Sequence, residues 1–169
     1  AAAAKQAIPA DYFVLIQAET PSGEGGGKVN VSTNKTAAFG SAISGWNDRG
    51  HFLDYSFEVA HDGLYQVLIK YCREGDAGER GLMIDNATPI EPAAAFEMAG
   101  TGGWSNGADD WRLLQLTWPK VDMPALVQLA AGKHTLRLIN TGGDGGVNLD
   151  YVVIASPKLN VTREVVEKK

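Results

Sequence analysis

Residues 50–59 read GHFLDYSFEV, and from position 53 onward large apolar side chains alternate with polar or charged ones. A period of two places one face of a β-strand in a hydrophobic core and the other face in water. The run 64–73, LYQVLIKYCR, has apolar or aromatic side chains at every second position from 65 to 71. Two alternating runs of this length predict a β fold.

Nine runs have the composition of β-strands. They are residues 12–19, 28–31, 50–59, 64–73, 81–85, 111–117, 126–129, 133–140 and 147–155. Glycine-containing turns separate many of them, since glycine adopts a positive φ without strain. No segment of about 12 residues or more carries a capped amphipathic helical pattern. We therefore expect an all-β sandwich or jelly roll.

The length and composition fit one globular domain. The chain has 169 residues, of which 44% are apolar and 21% charged, and a domain of this size buries roughly 70% of its unfolded surface. No internal repeat is present, which argues against a propeller or solenoid. We assign residues 11–156 to one module, residues 1–10 to a linker remnant, and residues 157–169 to a linker or the start of a next domain.

Charge and cysteine content limit the possible partners. The net charge of -5 argues against nucleic acid, which a basic patch would bind. No run approaches the roughly 18 apolar residues of a membrane span, so we expect no membrane partner. Cys72 is the one cysteine; it excludes an intramolecular disulfide, and its position in an apolar run predicts a buried, inert thiol.

Two carboxylates lie at the ends of the first and last apolar strands. Glu19 is the last residue of the run 12–19, and Asp150 lies in the sequence VNLDY at 147–151. If those two strands pair, the carboxylates meet. Oxygen donors placed in this way suggest a calcium site.

No catalytic group stands out. Loop carboxylates at Asp48, Asp109, Asp110 and Asp144 form no recognisable glycosidase pair. The three histidines do not stand at metal-ligand spacing, and Cys72 has no nearby histidine to activate it. The sequence therefore predicts that the chain is not an enzyme.

Seven short motifs occur in a fixed order along the chain. They are Gln17-Ala18-Glu19, Gly45-Trp46, the run 50–55, Gly63-Leu64-Tyr65, Gly102-Gly103-Trp104, the run 131–136 and Asn148-Leu149-Asp150-Tyr151. In this order the chain resembles carbohydrate-binding modules of families 6 and 35. The resemblance implies a jelly-roll β-sandwich of two antiparallel sheets with about nine to ten strands.

The same resemblance implies a structural Ca²⁺ ion. Its ligands would be the side chains of Gln17, Glu19 and Asp150. Gln17 departs from the glutamate usual in these families. An amide oxygen still ligates calcium, but one negative charge fewer should weaken the site.

The resemblance also implies a sugar cleft in the loops at one edge of the sandwich. Trp46 and Trp104 match the two aromatic rings that face a sugar, and Asn148 matches the asparagine that bonds its hydroxyls. Additional contacts are expected from Asp48, Arg49 and His51, with Arg49 suited to a uronic acid carboxylate.

Several of these residues have a structural alternative. Trp46 and Trp104 could instead be buried under their loops, and Asn148 could be a plain turn residue. Phe52 could lie on the cleft floor or on the surface of the second sheet. We expect Trp111 in the core. The charged segment 73–80 is interpreted as a solvated hairpin tip, and the glycine-rich segment 142–146 as a flexible rim of the cleft.

These observations predict a non-catalytic module that binds a poly- or oligosaccharide. It would be a monomer, covalently linked to the catalytic domain of a secreted or cell-surface, bacterial, polysaccharide-degrading enzyme. Two alternatives remain open. One is a structural or protein-interaction sandwich that binds no sugar, and the other is a small jelly-roll lyase or hydrolase.

Overall fold

The computed structural model describes residues 7–168, and within that range the fold is almost entirely β. Twelve strands are present: β1 (Phe13–Gln17), β2 (Gly23–Gly25), β3 (Asn30–Ser32), β4 (Ala42–Ser44), β5 (Phe52–Val59), β6 (Gly63–Cys72), β7 (Gly78–Ile84), β8 (Phe96–Met98), β9 (Arg112–Gln115), β10 (Val127–Leu129), β11 (Gly132–Asn140) and β12 (Asn148–Ala155). Each of the nine predicted runs overlaps one of these strands. The three-residue strands β2, β4 and β8 were not predicted.

The strands form two antiparallel sheets. The seven-stranded sheet has the order β10-β6-β12-β4-β3, with β1 also paired to β12 and β9 also paired to β6. The five-stranded sheet has the order β2-β5-β11-β7-β8. The predicted all-β sandwich of two antiparallel sheets is confirmed.

The core lies between the two sheets and follows the predicted alternation. In β5 the side chains of Leu53, Tyr55, Phe57 and Val59 are buried, whereas Ser56 and Glu58 are exposed. Trp111 and Cys72 are buried, as expected, but in a separate small cluster with Ala42. Burial raises the pKa of the Cys72 thiol, which keeps it in the unreactive protonated form.

The pairing of β1 with β12 places the first and last strands of the sandwich side by side. Gln17 stands opposite Tyr151, and the Ala18 amide donates to the Asp150 carbonyl at 3.0 Å. A break in the β12–β6 register falls between Leu149 and Tyr151. Such a bulge redirects the intervening side chain, here Asp150.

The segment after β12 covers the outer face of the seven-stranded sheet. Its short helix α1 (Arg163–Val166) begins at Thr162, whose hydroxyl accepts a hydrogen bond from the Val165 amide. Val166 is buried among Leu68, Val153 and neighbouring side chains. Residues 157–168, expected to be a linker or the start of another domain, therefore pack onto this sheet.

Two further expectations concern the N-terminal linker and membrane-spanning segments. Of the proposed N-terminal linker, residues 1–6 lie outside the described part, and Ile8 packs against the core. In residues 7–168 no helix is long and apolar enough to cross a membrane.

Candidate functional site

Four parts of the chain meet in an open cleft of about 240 Å³. Its lining residues are Lys35, Ser44, Gly45, Asn47, Trp104, Asn106, Gly146 and Asn148. They come from the connection between β3 and β4, the loop after β4, the loop before β9 and the start of β12. The loops lie far apart in sequence, so only the folded sandwich assembles this cleft.

Trp104 and Asn148, two of the residues expected to contact a sugar, both line this cleft. Asn148 is the first residue of β12, and its side-chain nitrogen donates to the Trp104 carbonyl at 3.2 Å. Trp104 keeps part of its surface open, and a β-carbon at Gly146 would lie 3.8 Å from its Cη2 atom. The hydrogen bond and the close approach at Gly146 both position Trp104.

Three amide side chains provide hydrogen-bonding groups around the indole. Asn47 and Asn106 are exposed. Asn148 is buried, and its side chain donates a hydrogen bond to the Trp104 carbonyl. A β-carbon at Gly146 would stand 2.7 Å from Asn47 Oδ1, so Asn47 reaches its position because glycine faces it. Each amide group both donates and accepts, which suits the mixed polarity of hydroxyl groups.

Trp46, the second predicted stacking residue, is in the core. Its side chain is 1% exposed, and its indole nitrogen donates to the His51 carbonyl at 2.8 Å. The guanidinium of Arg80 lies 4.7 Å from the ring centroid. The core and Arg80 therefore enclose the Trp46 ring, which has no face open to a sugar.

The other three predicted contacts do not line the cleft. Arg49 is exposed, but its guanidinium donates to the carbonyls of Thr141 and Gly142 at 2.8 and 2.9 Å. His51 is buried, and its Nε2 atom lies 2.7 Å from Glu24. Asp48 is exposed beside them. Arg49 and His51 thus hold neighbouring loops in place.

Phe52 lies on the surface of the second sheet, one of its two expected positions. Its ring is on the outer face of the five-stranded sheet, and the Arg137 guanidinium is 3.8 Å from the ring centroid. Arg137 also forms an ion pair with Asp54 at 2.7 Å. This second aromatic surface is separate from the Trp104 cleft.

The segment 73–80 is only in part the solvated hairpin tip that its charges suggested, because Glu74, Asp76 and Glu79 are exposed but its two arginines are not. Arg73 and Arg80 are 6% and 0% exposed. Arg80 donates to the Asp144 carboxylate at 2.7 Å and to the Gly145 carbonyl at 2.6 Å, while Arg73 donates to the Gly146 carbonyl at 2.8 Å. The two arginines turn inward because they supply donors to the carbonyls of the glycine-rich segment.

The Asp144 side chain makes a further contact between the glycine-rich segment 142–146 and β7. Its carboxylate also accepts a hydrogen bond from the Glu79 amide at 2.7 Å. Burial alone would raise the pKa of Asp144, but the hydrogen bonds from Arg80 and the Glu79 amide, with the nearby positive charges, lower it below its usual value. Asp144 is therefore ionised at neutral pH, and the segment 142–146 is tied to β7.

The three predicted calcium ligands converge where β1 meets β12. A β-carbon at Gly40 would lie 3.4 Å from Glu19 Oε1 and 3.9 Å from Gln17 Nε2, and the Phe39 amide donates to Asp150 Oδ2 at 2.7 Å. One side-chain oxygen of each predicted ligand is buried without a hydrogen-bond partner: Gln17 Oε1, Glu19 Oε2 and Asp150 Oδ1. Buried polar atoms are normally paired, so this trio of oxygens fits a hard cation such as Ca²⁺.

A buried lysine reduces the negative charge at the same place. Lys70 Nζ lies 2.8 Å from Asp150 Oδ2, and neither side chain is exposed. Burial raises the pKa of Asp150, although Lys70 and the Phe39 amide oppose the shift. Within the described chain, no group of three or more His, Cys, Asp or Glu side chains is placed to hold a metal, so any cation here depends on the Gln17 amide.

The comparison with known families decides the identity. The sequence model of the carbohydrate binding module (family 6) matches residues 17–156, from Gln17 to the residue after β12. The chain belongs to this family. The predicted resemblance is confirmed, and the chain is a non-catalytic carbohydrate-binding module.

Solved structures of similar modules share the fold of this family 6 module. The C-terminal family 6 module of a marine laminarinase from Zobellia galactanivorans has 18% identity and a TM-score of 0.63, covering 86% of this chain and 100% of that one. A second module, from Cellvibrio mixtus lichenase 5A in complex with cellotriose, has 23% identity and a TM-score of 0.60, covering 85% and 96%. A family 35 module from Clostridium thermocellum has 16% identity and a TM-score of 0.66, covering 86% and 99%.

No curated protein matches this family 6 module. The sequence interpretation missed four polar lining residues, which are Lys35, Ser44, Asn47 and Asn106. Asn47 adjoins Trp46 and Asn106 follows Trp104 by two positions, so nearness to a loop tryptophan was an available signal. The sequence around Lys35 contained no such signal, because Lys35 lies in a different loop from both tryptophans.

Proposed function

We propose that the module binds a poly- or oligosaccharide in the Trp104 cleft. A pyranose ring has an apolar face of C–H groups that packs on an indole, while its hydroxyls need directional partners. The observation that carries the proposal is the placement of the partly open Trp104 ring among the amides of Asn47, Asn106 and Asn148. Stacking comes from Trp104 alone, since Trp46 is enclosed.

The residues around the cleft then act as supports. Trp46 forms the floor beneath the loops, Arg49 holds the segment 141–142, and His51 ties β5 to Glu24. Asp48 is exposed next to Arg49 and reaches ligand only if the sugar extends past the lining residues. In this arrangement three of the six predicted residues, Trp46, Arg49 and His51, have a positioning role.

The biological role that we propose is to hold a polysaccharide-degrading enzyme on its substrate. The similar modules described above come from a laminarinase and a lichenase. A covalently linked module of this kind keeps its partner domain at high effective concentration near the glycan. We accordingly propose a secreted or cell-surface bacterial parent enzyme, with this module acting as a monomer.

We further propose that a structural Ca²⁺ ion is held by Gln17, Glu19 and Asp150. The support is the trio of buried, unpaired oxygens and their position between the first and last strands. When bound, the ion supplies positive charge that compensates the buried carboxylates. Its effect is on stability, since the site lies away from the lining residues of the cleft.

The experiment that tests sugar binding compares two aromatic substitutions. Trp104→Ala should abolish binding to the preferred polysaccharide on an affinity gel and leave the melting temperature nearly unchanged, because Trp104 is partly exposed. Phe52→Ala, on the outer face of the five-stranded sheet, is the matched control and should bind normally. Loss of binding in the Phe52 variant with retention in the Trp104 variant would move the site to that sheet.

A panel of plant and algal polysaccharides, run with calcium and with a chelator, identifies the glycan. Binding to one polymer class supports the proposal. A blank panel would contradict it and favour a protein-interaction role for the same loops.

A further inference from the structure

Lys35 is the one charged residue among those that line the Trp104 cleft, all of which lie in the described part of the chain. Its ammonium donates to Asn106 Oδ1 at 2.6 Å. An ammonium group has three donors, so two remain for a ligand. The hydrogen bond to Asn106 also fixes the side chain, which lowers the entropy cost of using it in binding.

Of the acidic side chains in the surrounding loops, Asp48 is exposed and does not line the cleft, and two others are paired with arginines. Asp109 pairs with Arg163 at 3.0 Å, and Asp144 pairs with Arg80 at 2.7 Å. Asp110 accepts a hydrogen bond from the Ser105 amide at 3.0 Å and does not line the cleft. Lys35 is therefore the charged side chain that a ligand in the cleft would meet.

The predicted cation for an acidic sugar was Arg49, and the structure assigns that residue another role. The two terminal nitrogens of Arg49 donate to the backbone carbonyls of Thr141 and Gly142. Lys35 is the available cation in its place.

Resting on the proposed sugar binding, we propose that Lys35 makes the cleft selective for sugars that carry an anionic group. A carboxylate of a uronic acid and a sulfate ester share the required chemistry, because each accepts charge-assisted hydrogen bonds from an ammonium group. The sugar ring stacks on Trp104, and its anionic group points to the Lys35 side of the cleft.

The test uses pairs of ligands in which one member carries an anionic group and the other has a neutral hydroxyl group in its place. One pair is a uronic acid trisaccharide and its carboxyl-reduced counterpart, and the other is a sulfated trisaccharide and its desulfated counterpart. Isothermal titration calorimetry at low and high salt gives the ratio of affinities within each pair. The variants are Lys35→Gln, which removes the charge, and Lys35→Arg, which keeps it, with Lys133→Gln on the five-stranded sheet as the control.

The unaltered module should prefer the anionic member of at least one pair by about tenfold, the scale of one charge-assisted hydrogen bond. This preference should shrink at high salt, fall close to one in Lys35→Gln, and persist in Lys35→Arg and Lys133→Gln. Which pair shows the preference identifies carboxylate or sulfate.

Equal affinity for charged and neutral members would overturn the inference and leave the proposed function intact. The inference also fails if Lys35→Gln weakens both members equally, since Lys35 then serves hydroxyl groups. If no member of either pair binds and the polysaccharide panel is also blank, both the inference and the proposed function fail.

Discussion

Gln17 contributes a neutral amide oxygen to a junction that otherwise holds two buried carboxylates and the Lys70 ammonium. Replacing it with glutamate adds one negative charge beside the proposed cation. Coulomb attraction at such short range is strong when water is excluded, so Gln17→Glu should bind Ca²⁺ about tenfold or more tightly, the scale of one charged hydrogen bond. Since a ligand specific for the folded state stabilises it, calcium should raise the melting temperature of this variant more than that of the unaltered module.

The measurement is the melting temperature in calcium and in chelator. The chelator should lower it in the unaltered module and lower it further in Gln17→Glu, where an additional buried carboxylate would lack compensation. Gln128→Glu, at an exposed position of β10, is the matched control. If calcium leaves the melting temperature of all three proteins unchanged, the unpaired oxygens of Gln17, Glu19 and Asp150 do not bind it.

His134 and Asp85 make a pH-sensitive pair on the five-stranded sheet. The His134 ring stacks on Phe57, and its nitrogens lie 2.6 Å from Asp85 Oδ2 and 2.7 Å from the Ala130 carbonyl. Burial alone would lower the pKa of His134, but the hydrogen bonds to Asp85 and Ala130 and the charge of Asp85 raise it. The pKa of Asp85 is lowered, because the hydrogen bonds from His134 and the Thr135 amide outweigh its burial.

The pKa shifts of His134 and Asp85 set the upper and the lower end of the pH range in which the pair stabilises the fold. The His134 contribution is complete below the ordinary histidine pKa and is lost as pH rises through the raised value, whereas the Asp85 contribution is lost as pH falls through the lowered value. The pair therefore stabilises most between about pH 4 and 6.5, by less than about 1 kcal/mol because Asp85 is half exposed.

In the unaltered module the melting temperature should fall between pH 6 and 9 as His134 loses its proton and the pair stops stabilising the fold. Asp85→Asn should remove this part of the fall, and melting temperatures across that pH range measure it. Asparagine tolerates the left-handed backbone at this position, where φ is 52°. Parallel pH profiles for the two proteins would show that the pair contributes nothing.

Among the structural elements, the glycine-rich segment 142–146 depends most on contacts from outside itself. Arg80 reaches it from β7, and Arg80→Met would remove donors from Asp144 and Gly145 and the cation from the Trp46 ring. Breaking a buried pair of this kind costs about 3 kcal/mol. Because Gly146 lines the cleft, sugar affinity should fall together with the free energy of unfolding.

Urea unfolding and calorimetric titration check the two effects, with exposed Arg112→Met on β9 as the control. If sugar affinity survives in Arg80→Met while stability falls, the anchor supports the fold without shaping the cleft.

The same elements explain how far the sequence could predict the structure. The long strands β5 and β6 were predictable because their alternation reports burial directly. Strand β2 has the sequence Gly-Glu-Gly, which contains no alternating pattern that would predict a strand. It is a strand because it pairs with its neighbour β5. The convergence of Gln17, Glu19 and Asp150 was predictable because they lie in or next to β1 and β12, the strands that open and close the sandwich.

The cleft was predictable only in part. Trp46 and Trp104 both stand beside glycine in polar loops, yet one is enclosed and the other is open. The difference is the guanidinium of Arg80, which covers Trp46 from the opposite sheet. Such a contact depends on the packing of the two sheets and leaves no local pattern in the sequence.

For the whole molecule, residues 157–168 close the outer face of the seven-stranded sheet. Glu167 Oε2 accepts hydrogen bonds from the Tyr151 hydroxyl at 2.7 Å and from the Lys70 ammonium at 3.1 Å. Lys70 also pairs with Asp150, so this C-terminal segment supplies one of the two carboxylates that compensate a fully buried cation. A sandwich that ended at Ser156 would leave Lys70 with less compensation and would expose Leu68 and Val153.

Truncation after Ser156 should therefore destabilise the module by at least about 2 kcal/mol, the value of burying one aliphatic side chain. Loss of the Glu167 carboxylate adds to this, because it leaves Lys70 less well compensated. Truncation after Glu167 is the matched control and should be neutral, since it removes only the last two lysines. Urea unfolding of the three chains measures the difference. Equal stability of all three would mean that the C-terminal segment rests on the sheet as a linker does and contributes no net free energy to folding.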